Sequence, residues 1–290
     1  MRSLPVVVIV ALLLAGPLAP GVGHAHDPNT ATHFGLSPAA RGASGSLARV
    51  GPMRSMSGSF HAIFGDAPSG SGAAAVAGYV LIDDQGHTTE LIVDEQALRA
   101  IGGPRVVNHR RVVVTGQTVL APATVAAPLF AVQAVQVDGP QPTAADVALS
   151  AAVTGSQPWI TILCRFGDMP AVTPQSVSWF NTLMLGTVPP GLDHYWRELS
   201  FNNVNLIGGA VVGWYTLPQP RSYYVYGSPL QLDFQRASQD CTGVADADVY
   251  FPNFVGINLM FNDDLDGFAW GGSWTLTRDG VTRTYRMTWV

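Results

Sequence analysis

Glycine and proline interrupt this chain 31 and 21 times in 290 residues, and that punctuation decides what it can build. Each glycine opens turn conformations and each proline removes a ladder donor, so the short apolar runs between them suit strands joined by turns. Many of the runs are rich in valine, as in Val112, Val113 and Val114, and β-branched side chains fit a pleated surface. The chain is 47% hydrophobic and only 12% charged, which is not the composition of a disordered protein. Its length admits two modest domains or one large one. The net charge of -5 gives no electrostatic reason to expect nucleic acid or an anionic membrane as partner.

Residues 1–25 form a targeting segment. Arg2 supplies the positive start, residues 4–14 are an apolar run too short to span a bilayer, and Gly23 and Ala25 are the small residues a signal peptidase reads. Cleavage after Ala25 and a secreted or extracytoplasmic location are expected, with no membrane partner afterwards. Export permits a disulfide. Cys164 lies in the apolar run 159–166, and Cys241 ends a helix-like segment, 230–241, whose Leu230, Phe234 and Ala237 share a face. Both cysteines can point into one core, as a bridge or as two buried thiols.

Residues 26–56 are rich in Ala, Gly, Ser and Pro and read as a flexible lead-in. A β module is expected over 57–138. Its strands are 59–64, 78–82, 88–93, 111–115 and 130–137, with a hairpin signal at Asp83-Asp84-Gln85-Gly86 and a short helix over 94–101. Five short strands with one helix between the third and fourth follow the pattern of a small OB-like β-barrel. The aromatic platforms and basic groove of a nucleic-acid-binding barrel are missing. A linker follows over 139–157.

The second unit, 158–290, mixes strands with helices, so the chain as a whole is mixed α/β. Its expected strands are 159–166, 204–207, 210–215, 254–261, 274–276 and 284–289, with a turn at Arg278-Asp279-Gly280. Helices are expected from a Thr173 N-cap to Gly186, over 192–199, and over 230–241.

Three blocks in this unit are unusual in their aromatic and glycine content. They are Asp193-His194-Tyr195-Trp196-Arg197-Glu198-Leu199-Ser200, Val211-Val212-Gly213-Trp214-Tyr215-Thr216-Leu217-Pro218, and Asn262-Asp263-Asp264-Leu265-Asp266-Gly267-Phe268-Ala269-Trp270-Gly271-Gly272-Ser273-Trp274. Together they resemble the front half of the catalytic domain of the immune-inhibitor-A-like secreted zinc metallopeptidases. The resemblance implies a zincin-like α+β domain, peptide-bond hydrolysis by zinc-activated water, and a protein or peptide substrate. That chemistry needs a His-Glu-x-x-His helix, with two histidines one turn apart on one zinc and a glutamate as general base. After Ala25 the histidines are His26, His33, His61, His87, His109 and His194, all single. No catalytic residue is therefore assigned, and zinc is expected only of a longer family protein. The expectation is an incomplete catalytic domain, inactive and poorly soluble as it stands, with a non-catalytic secreted binding module as the alternative.

Two sites remain. Asn262, Asp264 and Asp266, followed by Gly267, match the first half of a calcium loop, although Ser273 stands where the closing Glu belongs; a polar turn fits the same residues. The resemblance also implies a sheet-edge strand that pairs with substrate. Residues 270–276, with Trp270, Gly271 and Gly272 allowing close backbone approach, or residues 284–289 supply it.

Overall fold

A computed structural model describes residues 49–66, 76–93, 95–119, 129–139, 153–227 and 230–290. The expected signal segment, most of the lead-in and most of the linker lie outside the described residues. The fold is mixed and strand-dominated, and it divides into two compact units, Met1–Ala152 and Val153–Val290. The division falls inside the stretch read as a linker.

In the first unit, β1 (Arg49–Asp66), β2 (Val76–Ile82), β3 (Thr88–Val93), β4 (Arg111–Val119) and β5 (Leu129–Val137) pair in a closed ring. β1 pairs antiparallel with β2 and with β4, β2 with β3, β4 with β5, and β3 closes on β5 in parallel. β1 serves two neighbours by dividing its length. Arg49 to Ser59 face β4, and Ser59 to Gly65 face β2. The hand-over needs Gly58, because a Cβ there would stand 2.5 Å from the Ile82 carbonyl oxygen. The expected strand 59–64 is thus the second half of an 18-residue strand, and the lead-in ends eight residues sooner than its composition indicated.

One side of the ring wall forms the core. Phe60, Leu81, Leu91, Val112, Val114, Phe130 and Val132 pack there. Leu98 of α1 (Glu95–Ala100) and Val107 of α2 (Pro104–Val107) complete it. The β2–β3 turn forms as expected: the Asp83 carboxylate accepts from Gln85 N at 2.9 Å and His87 N at 2.8 Å, and Gly86 takes φ 83°. On the opposite side of the wall, His61, Val80, Glu90 and Leu129 are successive cross-strand partners. All four are buried.

The second unit begins with β6 (Gly155–Ser156), a short parallel partner of β8 (Val204–Asn205). Its main strands are β7 (Trp159–Arg165), β9 (Ala210–Thr216), β12 (Gly256–Phe261), β13 (Ala269–Arg278) and β14 (Val281–Trp289). A further pair, β10 (Val225–Tyr226) and β11 (Gln231–Leu232), forms a two-stranded ladder. The main order is β13-β14-β12-β7-β9. β14, β12, β7 and β9 run parallel, and β13 is antiparallel to β14. β12 is buried along its length and β7 nearly so, as expected of central parallel strands. The β13–β14 hairpin turns on Asp279 and Gly280, at φ 52° and 73°.

Helices α3 (Val177–Leu185) and α4 (Leu192–Leu199) connect β7 to β9; α5 (Arg221–Tyr224) and α6 (Phe234–Ala245) connect β9 to β12. The two crossovers run in opposite directions along the sheet, so right-handed connections put α3 and α6 on opposite faces. Phe234 of α6 packs its ring against Trp270, Trp274 and Trp289, and Trp289 donates its indole N–H to Ser238 at 3.0 Å. Cys164 of β7 and Cys241 of α6 form a disulfide, so the alternative of two free thiols falls away. On the other face, Thr161, Asn258 and Thr288 form a buried hydrogen-bonded row.

Two helix starts differ from expectation. Ser176, not Thr173, caps α3 by accepting from Trp179 N. The segment expected over 230–241 starts later, where Asp233 accepts from Arg236 N, and it runs on to Ala245. In both cases the side chain nearest the first free N–H groups is the cap. Gln231 and Leu232 meanwhile form β11.

Candidate functional site

The acidic turn and the start of β13 form one construction. β12 ends at Phe261, and Asn262 turns its side chain back under the sheet. It is 4% exposed. Its Oδ1 accepts from Phe166 N at 3.0 Å, and its Nδ2 donates to Met169 O at 2.9 Å and Val172 O at 3.1 Å. The side chain therefore clamps the 166–172 loop. Asp266 is also engaged: one oxygen accepts from the Trp270 indole at 2.7 Å and the other from Leu232 N at 3.0 Å. Burial holds its carboxyl above the usual carboxylate range despite those donors.

Asp264 faces outward toward a guanidinium. Arg221 donates to Asp264 O at 2.7 Å and Leu265 O at 2.6 Å, and lies 3.4 Å from Asp263 Oδ2 and 3.8 Å from Asp264 Oδ2. Its own N–H donates to Asp168 at 2.9 Å. Asn262, Asp264 and Asp266 thus serve three different sets of protein donors and acceptors. Among the described residues no group of three or more His, Cys, Asp or Glu converges as a metal site. A clamp and a ligand respond differently to substitution. Asn262→Ala is expected to destabilise the second unit by about 2–3 kcal/mol, equally with and without millimolar calcium. Urea titrations in both buffers measure this; a loss seen only with calcium present would favour the ligand role.

Among the described residues the histidines are dispersed. His194 on α4 sits 3.5 Å from Glu198 on its own helix, and His87 sits 3.1 Å from Asp83. His61 and His109 belong to the first unit, with ring centroids 6.0 Å apart.

Trp270, Gly271 and Gly272 lie on β13, paired in register with Trp289, Thr288 and Met287. The alternative, 284–289, is corrected: it lies in β14, held between β12 and β13.

Sequence reading missed Arg221 and Asn262 as anchors because their partners stand 43 and 93 residues away. It also missed the Tyr215 hydroxyl donating to Asp248 at 2.6 Å. No local spacing encodes such contacts. No helix among the described residues is long and apolar enough to cross a membrane, and the disulfide is compatible with an oxidising compartment. The chain matches no protein-family model and no curated protein.

Proposed function

We propose that residues 153–290 are the sheet-bearing portion of the catalytic domain of an exported zinc metallopeptidase, preceded by an OB-like barrel. One observation carries the reading. β13 is the single antiparallel strand among the unit's five main strands, beside four parallel ones, which agrees with the α+β sheet the resemblance implies. The ring of pairings in the first unit, with helices between β3 and β4, supports the OB-like assignment. No residue of this chain is assigned to zinc or to the general base, so no hydrolytic step is derived from it.

The experiment has two parts. The 290-residue chain is expected to bind no stoichiometric zinc and to cleave no peptide. The coding sequence beyond the codon for Val290 is expected to continue into a His-Glu-x-x-His run, and the longer product to hydrolyse peptides until chelator is added. Stoichiometric zinc in the present chain, or an extension lacking that run, overturns the reading. A secreted binding module is the second reading, compatible with a sheet fastened to a helix by the Cys164–Cys241 disulfide. A soluble, cooperatively melting 290-residue chain agrees with it.

A further inference from the structure

We propose that the outer margin of β9 is a docking site for an extended peptide that carries an apolar side chain next to a basic one. β9 stands last in the sheet and pairs only with β7. Among the described residues, no backbone group of 210–216 bonds to anything beyond β7. Its sequence is Ala-Val-Val-Gly-Trp-Tyr-Thr, without a charge or a proline, and every residue is at least partly solvent-accessible. Open strand margins are ordinarily blunted by charges, prolines or cover, since their free N–H and C=O groups recruit other strands. Here the ladder to β7 is interrupted by a register shift beside Gly213, which has a cis bond to Trp214 and where a Cβ would run into the Leu163 carbonyl.

The two flanks of this margin differ in chemistry. On one, Trp214 packs edge-on against Phe180 at 5.8 Å, and Phe180 against the partly exposed Trp179 at 5.0 Å. On the other, Tyr215 reaches the exposed Asp248, with Asp246 exposed nearby in the chain. Successive side chains of an added strand point to opposite faces. One therefore meets the aromatic row and the next meets the Asp248 carboxylate. Backbone bonds supply affinity and the flanks supply selectivity. This site stands on the sheet of the second unit alone and is independent of the peptidase reading.

The probe is a fluorescein-labelled decapeptide of alternating Val and Arg, titrated with the full chain by anisotropy. Saturable binding is expected, together with amide-exchange protection at 210–216. Methylating alternate peptide nitrogens is expected to weaken binding by more than about tenfold, through lost backbone bonds. Asp248→Asn is expected to weaken the Val/Arg peptide by about three- to fivefold and to leave a Val/Ser decapeptide unchanged. Absence of saturable binding overturns the proposal, as does equal binding of the methylated peptide. Equal weakening of both peptides by Asp248→Asn also overturns it, and so does self-association through β9 that excludes the peptide.

Discussion

Between neutral pH and pH 3 the first unit is expected to lose roughly 4–5 kcal/mol of stability through His61 alone. The side chain is 0% exposed, and burial first, then the neighbouring His109, pushes its pKa down to about 3. In an unfolded chain the same imidazole titrates near 6.5. Between those two values the unfolded state binds a proton that the folded state refuses, so stability rises with pH across the window. The contribution is intact above about 6.5 and is gone once pH falls below the folded value. Two measurements check this. The NMR titration of the His61 ring should show a midpoint far below that of an exposed histidine. Urea unfolding followed by far-ultraviolet circular dichroism should show a slope that flattens in His61→Leu. A ring midpoint near 6.5, or identical slopes in parent and variant, would sink the prediction. Glu90 acts with the opposite sign. Burial raises its carboxyl well above the ordinary value, so the folded state holds a proton that the unfolded state has released. Its contribution fades as pH rises, and Glu90→Gln should stabilise the unit at neutral pH.

Removing the Cys164–Cys241 cross-link by double substitution to alanine is expected to cost the second unit about 4 kcal/mol. The bridge spans 77 residues, and closing a loop of that size restricts the unfolded chain by about that amount. Both cysteines are fully buried, and the bond fastens α6 to the central strand β7. Tryptophan fluorescence suits the measurement, because every Trp in the sequence lies between residues 159 and 289. Urea titrations of parent and variant give the difference directly. A loss below about 1 kcal/mol would mean that the sheet and α6 hold together without the bridge.

Strand existence was legible wherever valine and isoleucine runs met turn residues. β3 and α4 fall where their spacing predicted, and the Asp83 and Asp279 turns form as their residues demand. β1 was half hidden, because Gly51, Pro52 and several serines disguise its first half. Tertiary pairing with β4 supplies there what local propensity lacks. Helix starts slipped by a few residues, since Thr173 and Ser176 are both competent caps and only the backbone path chooses between them. The roles of Asn262 and Arg221 were illegible, because each is defined by loops far away in sequence.

The central strand pair of the second unit has a consequence for the order of events on the ribosome. β7 is buried against β12, and Asn258 hydrogen-bonds Thr161 across 97 residues of chain. The first of the main strands to be made therefore waits for its second ladder until most of the unit exists. Until residue 261 has been synthesised, β7 holds only its β9 partner, with its other ladder unmet. Long-range parallel pairing is slow to form and leaves apolar backbone available to wrong partners while it waits. The ring of the first unit closes within Arg49–Val137, before the main strands of the second unit are made. One half of this protein can finish while the other still depends on residues yet to be made.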